Sequence, residues 1–322
     1  MKTRRWSLVS AVLAVLVLIA FGVIGTVRYV EAFWLYRGFQ PPTSLGSVVV
    51  RSGGHANRVS VYPGSVHNIL VRSAALGNRM DHVVVYLPPK YSEYPAVRYP
   101  VLYLLHGNPG APIQFVNVGD IAVTADRLIA EGKIRPMIIV MPSGAFSLFA
   151  DEEWANTVRP NNAWETFVAR DLVSAVQHRY RTKLNGRGRG IGGLSEGAYG
   201  ALNIGFHHIG EFGLIEGWSP YYMADRNPVF FGKRASLLAY NSPATLLPLI
   251  ATRLRDAHVY VWLYTGTHDY TVPGSKRFVR ELASLHIDHA YSIHPGRHDW
   301  LLWRTWMPES LIAASTYFNG HA

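Results

Sequence analysis

Residues 190–201 read GIGGLSEGAYGA, a short apolar run that meets the G-x-S-x-G pentapeptide Gly193–Gly197 and continues into a helix-like stretch. A strand that turns sharply into a helix leaves no room for side chains beside the turn, so glycines flank the serine. Such a turn strains the serine backbone and exposes the hydroxyl. The pattern predicts a nucleophile elbow, with Ser195 as the nucleophile of a serine hydrolase.

Short apolar runs alternate with helix-length stretches on both sides of the elbow. This alternation is typical of an α/β fold, with a mostly parallel sheet covered by helices on both faces, and we expect antiparallel strands at its start. The predicted strands are Ser47–Arg51, Ser65–Arg72, His82–Leu87, Tyr99–Leu105, Met137–Met141, Gly190–Leu194, Leu214–Trp218, His258–Tyr264 and His289–Ile293. The predicted helices are Ile121–Gly132, Ala163–Tyr180, Glu196–His207, Ser275–Leu285 and Trp300–Tyr317.

Two partners for the serine are expected further along the chain. A serine hydroxyl becomes a strong nucleophile when a histidine accepts its proton and a carboxylate orients that histidine. After an elbow of this kind the acid precedes the histidine in the chain. Asp269 follows one predicted strand and His298 follows the last one, so both lie in loops at the carboxyl edge of the sheet. We predict Ser195, Asp269 and His298 as a catalytic triad.

Two His-Asp dipeptides, 268–269 and 298–299, leave alternatives to this assignment. Adjacent side chains diverge, so each loop is expected to supply one member of the triad. A pairing of His268 with Asp299 reverses the expected chain order and is less favoured. Asp288 is the third candidate for the acid.

The negative oxygen that forms during acyl transfer needs two backbone N–H donors, an oxyanion hole. One donor is normally the residue after the nucleophile, which is Glu196 here. The other is expected from the loop His106–Gly110, which follows an early strand. Pro109 has no N–H, so Asn108 is the predicted second donor.

Five stretches of the chain resemble the esterase D family of the α/β-hydrolase superfamily, which includes formylglutathione hydrolases, feruloyl esterases and mycolyltransferases. The resemblance covers about Val66 to Phe318 and implies an α/β-hydrolase fold with the same triad. The stretches are VVVYLPPKY (Val83–Tyr91), YPVLYLLHG (Tyr99–Gly107), GLSEGAYGA (Gly193–Ala201), GTHDYT (Gly266–Thr271) and GRHDWLLWRTWMPE (Gly296–Glu309).

The amino end carries a long apolar segment. Leu8–Val27 contains no charged residue and is long enough, as a helix, for a hydrocarbon core of roughly 30 Å. It exceeds a typical signal-peptide core and no clear A-x-A site follows, which favours an uncleaved anchor over a cleaved signal peptide and secretion. Lys2, Arg4 and Arg5 precede it, so we expect the rest of the chain outside the cytoplasm. The predicted organisation is an anchor over residues 1–28, a stem over 29–63 and a catalytic domain over 64–322.

The composition and motifs of the chain restrict the molecules that it is expected to bind. The chain of 322 residues is 49% hydrophobic, contains no cysteine and has a net charge of +10. Arginines of the stem suit an anionic membrane surface, whereas no lysine-rich run or recognition module points to nucleic acid. H-E-x-x-H is absent, so no metal is predicted. The G-x-G-x-x-G match at Gly188–Gly193 lacks a preceding strand, and we expect no cofactor.

Aromatic residues are frequent in two stretches that follow predicted strands, 141–162 and 219–241. They line a substrate pocket or pack an insertion onto the sheet, and the sequence leaves both interpretations open. The aromatic residues and the methionine in question are Phe146, Phe149, Trp154, Tyr221, Tyr222, Met223, Phe230 and Phe231, while Trp300 and Trp303 are expected to pack the final helix.

These observations together predict a membrane-anchored, extracytoplasmic serine esterase that acts through an acyl-enzyme, with lipid or cell-envelope esters as the expected substrates. One alternative is an acyltransferase of the mycolyltransferase type with the same triad. Another is a non-catalytic, hydrolase-like module that binds the envelope.

Overall fold

The computed structural model describes residues 13–23, 47–52, 55–144 and 152–320. The chain divides into two units, Met1–Pro41 and Pro42–Ala322, and the described residues 13–23 of the first unit form helix α1. Within these described ranges, no helix is both long enough and apolar enough to cross a membrane. The predicted span Leu8–Val27 extends past α1 at both ends into residues outside those ranges, and the described helices do not support it.

The second unit begins with a two-stranded antiparallel hairpin, β1 (Ser47–Ser52) and β2 (His55–Ser60). The prediction of a single short strand in the stem was therefore wrong. Strand β2 reads HANRVS and lacks the apolar run that identifies a buried strand, so periodicity alone does not reveal it.

The remaining strands form one eight-stranded sheet in the order β10-β9-β8-β7-β5-β6-β4-β3. Strand β4 is antiparallel to both β3 and β6, and the other neighbours are parallel, as predicted. Every predicted strand of the catalytic domain overlaps an observed one. The strands are β3 (Ser65–Ser73), β4 (Arg79–Leu87), β5 (Val101–Leu105), β6 (Ile138–Pro142), β7 (Arg189–Gly193), β8 (Leu214–Trp218), β9 (Tyr260–Gly266) and β10 (His289–His294).

Helices fill the connections between these strands. The predicted helix Ala163–Tyr180 is observed as three consecutive pieces, of which the middle one, Phe167–Leu172, is π-helical. Helix α9 was not predicted, although Pro243 in its first turn is a recognised start signal. The helices after α1 are α2 (Ile113–Asn117), α3 (Ile121–Ala130), α4 (Trp164–Thr166), α5 (Val173–Arg179), α6 (Glu196–His207), α7 (Pro228–Phe231), α8 (Ala235–Tyr240), α9 (Pro243–Asp256), α10 (Val272–Ser284) and α11 (Trp300–Gly320).

Helices α6 and α11 pack on opposite faces of the sheet. A side chain at Gly205 of α6 would meet Ile215 of β8, whereas Ser310 of α11 hydrogen-bonds Glu216, the next residue of that strand. Successive side chains of a strand point to opposite faces. With both faces covered, β5 to β8 are buried along their whole length. This burial explains why β5 (VLYLL) and β6 (IIVMP) read as continuous apolar runs. Strands β7 and β8 are equally buried but include Arg189 and Glu216.

Glu216 is a carboxyl group in the middle of this core. Its side chain is fully buried, and the Ser310 hydroxyl donates a hydrogen bond to it. Burial, which opposes the charged form, raises the pKa of Glu216 to about 8, despite the hydrogen bond from Ser310.

We expect Glu216→Gln to flatten the dependence of stability on pH. The unfolded carboxyl ionises above its ordinary pKa of 4.5, while the folded carboxyl stays protonated up to about 8. Stability is therefore lost as pH rises between these values, by roughly 1.4 kcal/mol per pH unit at most. Urea unfolding at pH 5 and pH 8 measures this loss in both proteins. Equal losses in wild type and variant would contradict the assignment of this pH dependence to Glu216.

Candidate active site

Ser195 lies at the turn between strand β7 and helix α6. Its backbone has φ 55° and ψ −118°, a conformation that is rare for a residue with a side chain. A Cβ atom at Gly193 would lie 2.4 Å from the Leu105 carbonyl oxygen, and one at Gly197 would lie 2.0 Å from the same atom. Only glycine fits on either side of the serine, and the turn has the geometry predicted for a nucleophile elbow.

A chain of hydrogen bonds links Ser195 to His298 and Asp269. Nε2 of His298 is 2.8 Å from Ser195 Oγ, and Nδ1 of the same ring is 3.1 Å from each carboxylate oxygen of Asp269. The three residues follow the parallel strands β7, β9 and β10, so they meet at the carboxyl edge of the sheet. The imidazole can accept the serine proton while the carboxylate holds it in the required orientation.

Asp269 is buried and well supplied with hydrogen-bond donors. The backbone N–H and the hydroxyl of Thr271 donate to Asp269 Oδ1 at 2.9 and 2.8 Å. Burial by itself raises the pKa of Asp269, but hydrogen bonds with His298 and Ser219 outweigh it and lower the pKa to about 2. The carboxylate is therefore ionised across the physiological range of pH.

The alternative partners lie elsewhere. His268 is exposed, and its Nδ1 faces Thr267 Oγ1 at 3.1 Å. Asp299 accepts the backbone N–H of Leu302 at 3.0 Å in the first turn of α11. Asp288 lies just before strand β10, at the opposite edge of the sheet. The structure brings none of the three to the serine hydroxyl.

The two predicted oxyanion donors flank the nucleophile. Glu196 is the first residue of α6, so its backbone N–H lies at the positive end of the helix dipole. On the other side, a Cβ atom at Gly107 would lie 3.0 Å from Ser195 Cβ, which brings the loop after β5 against the serine. Asn108, Ser195 and Glu196 line the same cavity.

This cavity has a volume of about 330 Å³ and opens to solvent above the serine. Beside Asn108, Ser195 and Glu196, its wall consists of two tyrosines, two acidic residues and a methionine. These side chains are Glu153, Tyr221, Met223, Asp225 and Tyr270.

The aromatic-rich stretches 141–162 and 219–241 contain some residues that line the cavity and others that pack the fold. Tyr221 and Met223 line the cavity. The other described members are buried and pack the fold: Trp154, Tyr222, Phe230 and Phe231. Phe146 and Phe149 lie outside the described residues.

Three side chains around His298 were given no site role by the sequence. Tyr270 Oη is 3.4 Å from His298 Nε2, and its ring centroid is 4.6 Å from the imidazole. Trp303 meets the same imidazole edge to face at 5.1 Å and donates its Nε1–H to Ser219 Oγ at 3.1 Å. Ser219 in turn hydrogen-bonds Asp269. Trp303 is buried in the final helix as predicted, and its ring also supports the histidine.

Potential metal ligands are not clustered in the part of the chain that the structure describes: no three His, Asp or Glu side chains there are placed to hold an ion. The His207–His208 dipeptide faces Glu165 instead, with each ring nitrogen 3.0 Å from one carboxylate oxygen. Burial opposes the charge on Glu165, but hydrogen bonds from both histidines lower its pKa to about 2.

Named relatives agree with the class of protein that the motifs predict. An esterase of Mycobacterium tuberculosis is 36% identical over 114 residues, which are 35% of this chain and 24% of that protein. An endo-1,4-beta-xylanase/feruloyl esterase of Xylanibacter ruminicola is 29% identical over 170 residues, 51% of this chain and 23% of that protein. The chain thus spans about a quarter of the length of these two relatives.

A solved structure of a ferulic acid esterase has the same fold. It aligns with a TM-score of 0.70 at 24% identity, covering 80% of this chain and 99% of that one. A family described as "Putative esterase" matches residues 73–314. The resemblance inferred from the motifs is confirmed, and the chain belongs to this esterase family.

Proposed function

We propose that this protein is a membrane-anchored serine esterase that acts outside the cytoplasm and hydrolyses carboxylic esters through an acyl-enzyme. The hydrogen-bond chain from Asp269 through His298 to Ser195 carries the proposal, since it is what a nucleophilic serine requires. Membership in the esterase family and two relatives with esterase in their names support it.

In the proposed reaction, Ser195 Oγ attacks the ester carbonyl carbon while His298 Nε2 takes the hydroxyl proton. The backbone N–H groups of Glu196 and Asn108 stabilise the negative oxygen. The C–O bond to the alcohol then breaks, and the imidazolium gives its proton to the leaving oxygen. Water, deprotonated by the same histidine, attacks the carbonyl carbon of the acyl-serine. The bond from this carbon to Ser195 Oγ then breaks, the imidazolium returns its proton to Oγ, and the carboxylic acid is released.

An active-site fluorophosphonate tests the assignment of the nucleophile. We expect covalent labelling of Ser195 with displacement of fluoride, because the activated hydroxyl attacks phosphorus as it attacks a carbonyl carbon. Mass spectrometry of tryptic peptides locates the adduct. No adduct, or an adduct on another serine, would contradict the proposal and favour the non-catalytic module.

An acyltransferase differs from an esterase only in the second half of the reaction, where an alcohol replaces water. We expect free acid to remain the main product when sugar or glycerol acceptors are added to the enzyme and a soluble acyl ester. Transfer of most acyl groups to the acceptor would replace the esterase proposal by the acyltransferase alternative.

The membrane part of the proposal rests on the uncharged segment Leu8–Val27 and the basic residues before it. Helix α1 within this segment exposes large apolar side chains, among them Leu18 and Phe21. We expect the full chain to sediment with membranes and its catalytic domain to be digested by protease added to spheroplasts. Protection from that protease would contradict an extracytoplasmic domain, and a shortened chain in the medium would indicate signal cleavage and secretion.

A further inference from the structure

The ionisable acidic and basic residue types that line the cavity above Ser195 differ from those of the chain as a whole. The net charge of the protein is +10, yet every Lys, Arg, Asp or Glu among the described residues that line the cavity is acidic. These residues are Glu153, Glu196 and Asp225. Three acidic side chains around a nucleophile favour a cation over an anion in the cavity.

Tyrosines complete the wall between these carboxylates. The Tyr221 hydroxyl donates to Glu153 Oε2 at 2.9 Å, and its ring stacks on Tyr199 with centroids 4.6 Å apart. Tyr270 is 70% exposed beside His298, at the mouth of the cavity. Carboxylates and electron-rich aromatic rings both attract alkylammonium groups, and neither favours an anion.

Two of the carboxylates are held firmly in place. Glu153 is buried, and its contact with Tyr221 fixes its orientation. Asp225 is more exposed, but its Oδ1 accepts the backbone N–H of Asn227 at 2.7 Å. Both acidic side chains therefore have a defined orientation before a substrate binds.

These acidic side chains also act on the reaction. The tetrahedral intermediate carries a negative oxygen, which nearby carboxylates repel. A positive charge on the substrate offsets this repulsion in the cavity and is itself attracted by the carboxylates. A neutral substrate lacks both effects, and an anionic substrate adds a second repulsion.

We propose that the natural ester carries a positively charged nitrogen close to the scissile bond, and that Glu153 and Asp225 select it by charge. The inference rests on the proposed esterase function and adds its substrate class, an alkylammonium ester. The two acidic residues are specificity residues, distinct from the triad.

Two acetate esters of nearly the same shape but different charge distinguish the effect of substrate charge on hydrolysis from the effect of substrate shape. Acetylcholine and 3,3-dimethylbutyl acetate differ only by a quaternary nitrogen in place of a quaternary carbon. Two p-nitrophenyl esters, of 4-(trimethylammonio)butyrate and 5,5-dimethylhexanoate, make the same comparison on the acyl side. For at least one pair, we expect kcat/KM to favour the cation by about tenfold or more at low salt, and the preference to shrink in 0.5 M NaCl.

Substitutions locate the source of the preference. Asp225→Asn and Glu153→Gln remove one charge each at nearly constant shape, and each should lower the cation-to-neutral ratio several-fold. The ratio is the readout, because a change in rate that is common to both esters cancels in it. Asp256→Asn is the matched control: it removes an exposed negative charge at the end of α9, at the opposite edge of the sheet, and should leave the ratio unchanged.

A binding measurement avoids dependence on turnover. Tetramethylammonium is titrated into the Ser195→Ala variant and followed by NMR, with tert-butanol as the neutral probe. We expect saturable binding of the cation alone, weakened at least several-fold by adding Asp225→Asn.

Three results would overturn the proposed charge selectivity of the cavity. They are kcat/KM ratios near one for both ester pairs, ratios that do not change in Asp225→Asn and Glu153→Gln, and no saturable binding of tetramethylammonium. If the charge selectivity fails but the neutral esters are hydrolysed rapidly, the esterase proposal is still supported. Conversely, saturable binding of tetramethylammonium without hydrolysis of any ester would contradict the esterase proposal and support the charge selectivity of the cavity.

Discussion

Replacing Ser195 by alanine is expected to lower kcat for ester hydrolysis by about 10⁵-fold to 10⁶-fold, because the acyl-enzyme can no longer form. The fold should survive, since alanine has the same Cβ atom as serine and places no new atom in the elbow. The lost hydroxyl hydrogen-bonds the imidazole of His298 and lies beside the Tyr270 hydroxyl, so the cost to stability should be about 1 kcal/mol.

Initial rates with a soluble p-nitrophenyl ester, together with thermal unfolding, measure both effects. Ser174→Ala is a matched control because Ser174 is exposed on α5, on another part of the sheet. That variant should keep wild-type turnover. Retention of more than about one per cent of activity by Ser195→Ala would refute the nucleophile assignment.

The substitution Asp269→Asn is expected to lower kcat by about 10⁴-fold while the fold stays intact. Both donors of Thr271 point at Oδ1, so the carbonyl oxygen of the asparagine must occupy that position. Its NH₂ group then replaces Oδ2 and faces Nδ1 of His298. That nitrogen becomes an acceptor, the ring proton moves to Nε2, and Nε2 can no longer take the serine proton.

Asp299→Asn supplies the control from the second His-Asp dipeptide. Asparagine caps a helix about as well as aspartate, so α11 should keep its first turn and turnover should fall by no more than a few-fold. Steady-state kinetics of both variants decide between the two acids. A larger loss in Asp299→Asn than in Asp269→Asn would overturn the proposed triad.

The sequence was informative about features that produce a recognisable local pattern of residues. The glycines at 193 and 197 are required because the Leu105 carbonyl oxygen occupies the space of their side chains, so the elbow appears as a local pattern. The neighbouring strand β5 is buried on both faces and therefore appears as the apolar run VLYLL. The expected order of acid before histidine along the chain then gave Asp269 and His298 as the candidate partners of the serine.

Local patterns were least informative where a strand or helix is partly exposed. Strand β2 carries polar residues and has no apolar run, so it was not predicted. Helix α9 was overlooked although Leu246, Ile250 and Leu254 follow helical spacing. The extent of the apolar segment near the amino end was read from composition alone, and the described part of it is limited to α1.

By itself, then, the sequence determined the fold family, the elbow at Ser195 and the candidates for its partners. The reason is that the glycine spacing of the elbow and the apolar residues of buried strands can be recognised in the sequence. The tertiary structure placed Asp269 of one His-Asp dipeptide and His298 of the other in one hydrogen-bond chain with Ser195. It alone showed the acidic wall of Glu153 and Asp225. These residues come from separate loops, and only the folding of the sheet brings such distant side chains into one electrostatic field.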